Sequence, residues 1–546
     1  MPSKKYILFL SLLSGVLLGL SWIPSFTFLI FFAFIPFFRI EKIIRESEIR
    51  NKKNWLFWIS YLTFFIWNLL ATWWVAFASL GGASLAIVCN ALLMSLTYLI
   101  YLFISKNIKS DLRIFLLIPV WLSFEYFHTD WDLSWTWLSL GNVFAFKPDW
   151  IQWYEYTGVS GGTAWVLLAN AIQFFLLANM PTLKFSRQLF FRSGIVLIII
   201  FMPIVLSSLR LTILKVFSIE KNKTTVRCLI VQPSYNPYTE KFDIPFEQQL
   251  KETKDILLSN LDSTVDYLLL PETFIPHQTW GDEIYENDMS QHPYLKLFEK
   301  EISEKYPNLF VVTGADTHYQ YGENEERQPT ARKFTNAPLY YEAFNTTLQL
   351  KKGEPIQIYH KSKLVPGVEM MPFPTLFGLL SDLAIEMGGT SGSLGRQKER
   401  EIFAGPKNAK AGTIVCYESV FGEYVTEYVN KGANILFILT NDGWWEDTPG
   451  YRQHLAYAQL RAIETRRWIA RSANTGISAA INPKGEIVQS AGWYKKAAIL
   501  ADIPLEDNKT FYVKNGDLIS KLSYGLSGLL FITSFIPYFR ERKKKK

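Results

Sequence analysis

Three short segments of this sequence each run from an apolar, strand-like stretch to a reactive side chain. Tyr-Leu-Leu-Leu-Pro-Glu ends at Glu272, Ile-Gln-Ile-Tyr-His-Lys ends at Lys361, and Gly-Thr-Ile-Val-Cys-Tyr-Glu carries Cys416 and Glu418. Ligands of open α/β sheets bind outside the carboxyl ends of strands, so three such ends can gather a carboxylate, an ammonium and a thiol. The set suits covalent catalysis. A free thiol has a pKa near 8.5 and is only a few per cent thiolate at pH 7. A neighbouring ammonium would favour the thiolate and later the oxyanion, and the backbone N–H of Tyr417 could add an oxyanion donor. Glu272 could accept the thiol proton. Partial burial would lift its carboxyl from about 4.3 toward a useful range. Each residue alone has an ordinary structural role: a packed cysteine, a Pro-Glu turn, a solvated lysine. Their joint occurrence points to a site.

The elements that must position these residues lie in two solvents. Of 546 residues, 49% are hydrophobic and 16% aromatic, with only 19% charged. The apolar residues crowd into the first 215 positions and one stretch near the C-terminus, while the middle has the mix of a globular domain. A membrane-spanning helix needs roughly 20 apolar residues. Candidates fall at 6–23, 25–38, 55–77, 83–104, 114–128, 163–180, 195–213 and 522–538, the second and fifth short and interrupted by proline. Cytoplasmic loops carry an excess of Lys and Arg. Eight helices put every basic cluster on one side: Lys4 and Lys5, 39–53, 106–113, 184–192 and the tail from Arg540. Both ends are then cytoplasmic and the large middle segment is outside. The expected organisation is seven helices in 1–214, an extracytoplasmic catalytic domain in 215–517, and the eighth helix with its tail in 518–546.

The net charge of +7 owes much to that tail. It follows an apolar segment, so it reads as a flank at anionic lipid rather than a nucleic-acid site. The Trp-rich stretch 129–162 reads as an interfacial anchoring belt. Glu125 and Asp132 fall near a helix end, so no charge is expected mid-span. Three cysteines do not make a disulfide framework, although counting leaves a Cys228–Cys416 bridge open. No HExxH or CxxC occurs and the six histidines are scattered, so no metal is expected. Between 226 and 440 the domain alternates strand-like runs (226–231, 267–270, 309–314, 346–350, 356–359, 411–415, 435–440) with helical stretches such as 246–261 and 292–306; a further helical stretch is 454–470. Such a mixture implies sheets covered by helices.

At this point the sequence resembles the carbon–nitrogen hydrolase (nitrilase) superfamily. Leu-Pro-Glu-Thr at 270–273, Tyr-His-Lys-Ser-Lys-Leu-Val-Pro at 359–366 and Cys-Tyr-Glu at 416–418 are similar to its three signatures. Thr-Asn-Asp-Gly-Trp-Trp at 440–445 and Arg-Ser-Ala-Asn-Thr-Gly at 471–476 are similar to later segments. Set before the last of eight helices, such a domain resembles the apolipoprotein N-acyltransferase family. That resemblance implies an α-β-β-α sandwich joined to a helical membrane bundle, and no cofactor. It implies Glu272 as general base, Lys361 as catalytic lysine and Cys416 as nucleophile. It also implies Glu369 and Glu418 in support, with Trp444 and the loop aromatic Phe242 around the substrate. The family pattern Pro-Phe-Gly-Glu is here Pro366-Gly367-Val368-Glu369, so the spacing to Glu369 survives with a different turn. The implied reaction takes a fatty acyl group from a phospholipid such as phosphatidylethanolamine, through a Cys416 thioester. The acyl group then passes to the α-amine of a diacylated apolipoprotein, at the outer face of a bacterial inner membrane. The alternatives are a membrane-anchored amidase and a non-enzymatic transporter or scaffold.

Overall fold

A computed structural model describes residues 3–178, 186–217, 223–278, 282–334, 337–373 and 393–535. The chain divides into two compact units. The first comprises Met1–Ala76, Leu80–Lys215 and Asn515–Lys546, and the second Phe77–Ser79 and Val216–Lys514.

Leucine, isoleucine and aromatic runs with few charges make the first unit helical. Among the described residues, four helices are long and apolar enough to cross a membrane: Lys52–Phe77, Leu80–Ile104, Tyr154–Leu176 and Arg187–Lys215. Leu518–Thr533 is apolar but shorter, with 16 residues. Two of the expected spans are not single helices. Within 25–38, a tight turn at Thr27–Phe31 precedes a separate helix, Ile35–Glu46, whose first turn holds Pro36. Proline suits a helix start, where its missing N–H costs nothing, and it disfavours continuation of a helix from upstream. Within 114–128, a turn at Asp111–Leu116 leads into Leu117–Phe127, 11 residues long. At about 1.5 Å per residue that helix covers roughly half a hydrocarbon core. The basic tail, Lys184 and the ends of the 163–180 and 522–538 segments lie outside the described residues.

In the Trp-rich stretch Trp137 is buried, stacked 5.7 Å from Trp135 and tilted 5.0 Å from Trp74, and Trp153 meets Trp165 at 5.8 Å; Trp131, Trp135, Trp150 and Trp153 stay half-buried. Glu125 is buried rather than placed at an exposed helix end, and it is satisfied. Its carboxylate accepts hydrogen bonds from Trp121 Nε1 (3.0 Å), Leu140 N–H (2.8 Å) and Thr163 Oγ1 (2.7 Å). Glu41 pairs with Arg113 at 3.1 Å and accepts from the Tyr98 and Tyr101 hydroxyls. Buried charge is costly unless paired, and here each carboxylate has its partners.

The second unit holds two sheets. Strands β1 (Thr225–Gln232), β2 (Tyr267–Leu269), β3 (Ile284–Tyr285), β4 (Phe310–Gln320), β5 (Arg332–Lys333), β6 (Tyr340–Leu350) and β7 (Gln357–His360) belong to the first. Strands β8 (Ile402–Ala404), β9 (Lys410–Val415), β10 (Ile435–Thr440), β11 (Ile469–Ala473), β12 (Ala479–Ile481) and β13 (Ile487–Ser490) form the second. Strand β14 (Ala497–Pro504) returns to the edge of the first. The orders are β14-β1-β2-β4-β6-β5, with β3 on β4 and β7 on β6, and β13-β12-β11-β10-β9-β8.

Side chains alternate across a strand, so each sheet has two faces. Leu229, Val231, Leu268, Leu270 and Val311 meet Phe246, Leu250 and Leu257 of the helix Phe246–Leu258, together with Phe298, in one core. The opposite face meets the other sheet, with Tyr267 edge-on to Phe437 at 4.9 Å and Ser472 Oγ donating to the Val231 carbonyl at 2.7 Å. Helices Gly422–Asn430 and Pro449–Thr465 belong with the second sheet, and the first of them buries Tyr424, Val425, Tyr428 and Val429. The layers are therefore α-β-β-α. The predicted helix 454–470 is shifted: it starts at Pro449 and ends at Thr465, because Arg466 adopts φ 50° and β11 then pairs in parallel with β10. The helix expected over 292–306 is a single stretch only from Pro293 to Phe298, followed by a wider turn.

Candidate active site

The strand ends named from the sequence converge in the second unit. β2 stops at Leu269 and the chain turns at Pro271–Thr273, which presents Glu272. Gly314 of β4 lies directly beneath this turn. A Cβ there would fall 2.4 Å from Thr273 N and 2.7 Å from Glu272 Cα, so only glycine lets the backbone approach this closely. Gly314→Ala is therefore expected to push the Glu272 turn out of place and lower turnover by about 10²-fold, the cost of roughly 1 Å of misplacement. Steady-state kinetics of the folded variant will check this.

The Glu272 carboxylate accepts three hydrogen bonds. Lys361 Nζ (3.0 Å) and Asn345 Nδ2 (2.8 Å) bind Oε1, and the Asn441 N–H (3.0 Å) binds Oε2. Lys361 follows β7, is buried, and also reaches Glu369 Oε1 at 2.8 Å. Gly367, at φ 80°, makes the turn that returns Glu369 to the lysine, and the Val365 N–H holds the other Glu369 oxygen at 2.8 Å. The Pro-Gly-Val-Glu variation thus still delivers a carboxylate here, with glycine one position earlier. Asn345 donates to both carboxylates, at 2.8 Å to Glu272 and 3.2 Å to Glu369.

Cys416 directly follows β9 and adopts φ 48°, a left-handed conformation uncommon for a non-glycine residue. Its carbonyl accepts from Ser419 Oγ (2.7 Å) and lies 3.1 Å from His454 Nε2. His454 in turn contacts Asp442 Oδ1 at 2.8 Å, and Arg471 Nη2 donates to Asp442 Oδ2 at 2.6 Å. This buried chain backs the turn that carries the thiol. Glu418 ties that turn to the Lys361 loop: it accepts from Val415 N–H (2.8 Å), Ser362 N–H (2.6 Å), Tyr359 Oη (2.8 Å) and Tyr424 Oη (2.5 Å). Tyr417 is buried with its ring edge-on to Phe421 at 5.1 Å. Phe242 and Trp444 meet at 6.2 Å, nearly parallel. All three cysteines are free, and among the described residues no group could hold a metal ion.

The electrostatics differ from the expectation that burial would raise Glu272. Burial does push its carboxyl up, but the Lys361 ammonium, the Asn345 amide and Lys241 outweigh it and hold it below the usual glutamate value. Lys361 is held well above its usual value: burial works against the ammonium, and the Glu272 and Glu369 carboxylates overcome it. Burial and the Glu272 charge raise the Cys416 thiol, and Lys361 only partly offsets them. At rest the proton therefore sits on sulfur, and it can leave only as another bond forms.

Sequence reasoning missed Asn345, Lys241, the Asn441 amide and the Asp442–His454–Arg471 chain. Asn345 carried one signal, a polar residue in a strand otherwise rich in Thr and aromatic side chains. Lys241 carried none.

The site gathers a carboxylate, an ammonium and a thiol from segments that follow three strands, β2, β7 and β9. Residues 230–511 match the carbon-nitrogen hydrolase family, more than half of the chain, and the protein belongs to that family. Residues 14–172 match the apolipoprotein N-acyltransferase N-terminal domain. The chain is similar to apolipoprotein N-acyltransferase of Chlorobaculum tepidum, 27% identical over 534 residues, covering 97% of this chain and 96% of that one. It is also similar to apolipoprotein N-acyltransferase 1 of Treponema denticola, 25% identical over 530 residues, covering 94% of each.

Proposed function

We propose that the protein is an apolipoprotein N-acyltransferase with a Glu272-Lys361-Cys416 triad. The observation that carries the reading is the Lys361 ammonium bridging Glu272 and Glu369 in a buried site that also holds the Cys416 thiol. Glu272 takes the thiol proton as sulfur attacks the ester carbonyl of a phospholipid, phosphatidylethanolamine being the expected donor. Lys361 and the Tyr417 N–H stabilise the oxyanion. As the C–O bond breaks, Glu272 returns the proton to the lysophospholipid oxygen, and a thioester remains on Cys416. The neutral α-amine of a diacylglyceryl-cysteine then attacks. Glu272 receives its proton, the C–S bond breaks as the amide forms, and Glu272 passes that proton to the departing sulfur, which restores the thiol. Glu369 and Glu418 position the lysine and the nucleophile turn, and the Phe242–Trp444 pair lines the approach.

A helical membrane unit, with the catalytic unit on the periplasmic side of the inner membrane, fits the distribution of basic residues. In that orientation the ester-cleaving site would face the side where lipoprotein N-termini are exposed.

The test supplies full-length protein in detergent with labelled phospholipid, with and without a diacylglyceryl-cysteine lipopeptide. Label is expected to pass to the lipopeptide amine in a ping-pong pattern. Hydrolysis of a small amide without transfer to the amine would establish the amidase reading instead.

A further inference from the structure

Lys241 lies in the segment between β1 and the helix Phe246–Leu258, one residue before Phe242, and its side chain is buried. Its Nζ donates to the Glu272 carbonyl (2.9 Å) and to Thr273 Oγ1 (2.5 Å), the two residues of the turn that presents the Glu272 carboxylate. Thr273 has φ 46°, so this turn is held in a conformation that a β-branched residue disfavours. The Lys241 carbonyl is fixed in turn by Gln249 Nε2 (2.7 Å) and Gln278 Nε2 (3.2 Å). Its N–H donates to the Asn236 carbonyl at 2.9 Å.

Resting on the triad reading above, we propose that Lys241 is a positioning residue for the acyl-transfer site. Its ammonium pins the segment carrying Phe242 to the turn of the general base, and supplies a second positive charge to the Glu272 carboxylate.

A lysine with no task would not be expected in this place. Burying an ammonium is costly, and lysine is almost never fully buried unless paired. The charged and titratable groups facing it are Glu272, Asp316 and Cys416. Burial draws Lys241 down to about 8 against the pull of these groups, and burial raises Asp316 to about 6. Around neutral pH the lysine stays charged. Two consequences follow from the geometry. Removing the ammonium frees the Glu272 turn to relax, which lowers turnover. It also takes a cation away from the Glu272 carboxylate, so the carboxyl becomes easier to protonate and the acid limb of the rate moves to higher pH. A packing residue would produce the first effect without the second.

The experiment follows thioester formation on Cys416 by intact-protein mass, with full-length protein and phosphatidylethanolamine micelles, from acid to neutral pH. Lys241→Met is expected to lower the saturating rate by about 10- to 100-fold, with half-saturating lipid within about twofold of wild type, and to shift the acid limb upward. Lys241→Arg keeps the charge and is expected to restore part of the rate and the wild-type limb. A Met variant with the wild-type rate, or with a lower rate but an unmoved acid limb, overturns the proposal. Where the Met variant does not fold, Thr273→Val removes one of the two acceptors. A several-fold slower rate then supports the clamp, and an unchanged rate overturns it. A wild-type protein that forms no thioester at Cys416 indicts the triad reading instead, so the two failures are distinguishable.

Discussion

Cys416→Ala is expected to abolish acyl transfer, by about 10⁴-fold or more, while Cys228→Ala leaves it near wild type. Both thiols are buried in the same unit, so the pair of variants separates position from mere presence. Cys228 lies mid-strand in β1, paired with Ala501 on one side and Tyr267 on the other, and burial pushes its thiol well above the usual cysteine range. The Asp266 and Asp502 charges raise it further, and Lys407 only partly offsets them. Cys416 sits at a strand end, in a turn whose carbonyl is held from behind, and the Glu272 and Lys361 charges act on its thiol. Loss of a covalent nucleophile removes the entire two-step route, whereas loss of a packed thiol costs only stability. Incubation with phospholipid alone, followed by peptide mass spectrometry, gives the direct check. A hydroxylamine-labile acyl mass is expected on the peptide holding Cys416, and its appearance on the Cys228 peptide would reassign the nucleophile.

Lys361→Met is expected to cost about 10³- to 10⁴-fold and, in addition, to reshape the pH dependence. In the wild-type site Glu272 is held below the ordinary glutamate value, chiefly because Lys361 outweighs burial. Its carboxylate is therefore already deprotonated throughout the neutral range, and activity should fall only well into acid, as pH drops through that lowered value. Without the ammonium, burial dominates and the carboxyl rises, so the acid limb moves up toward neutrality. The Cys416 thiol also loses the stabilising Lys361 charge and rises further. Residual activity should thus be confined to higher pH. Glu272→Gln should lose a similar factor but show no acid limb from this position. The measurement is the rate of thioester formation against pH for the three proteins. A Lys361→Met profile parallel to wild type would refute the coupling.

Much of the site was legible because the pattern is local. A strand alternates its side chains with a period of two and stops at a turn, so the runs before Glu272, Lys361 and Cys416 could be read residue by residue. β10 was placed at its observed limits, 435–440, and β1 and β9 within a residue at each end. Membrane helices were legible where apolar runs exceeded a full span without proline, as in Lys52–Phe77 and Leu80–Ile104. At 25–38 and 114–128 the prolines seen in the sequence fall in the first turn of the observed helices, which start later than the apolar runs do. Which Trp of 129–162 is buried was not legible, since an indole can face lipid headgroups or a neighbouring indole with the same sequence pattern.

By itself, then, the sequence determined which residue types end the strands, which segments are apolar, and the carbon-nitrogen hydrolase family that residues 230–511 match. Only the tertiary structure decided the charge balance of the site. The groups that act on Glu272 come from positions 241, 345, 361 and 441, on four segments far apart in the sequence or separated by other elements. Coulomb interactions and hydrogen bonds depend on distances in space. A carboxyl that burial alone would raise is lowered because folding sets an ammonium 3.0 Å away.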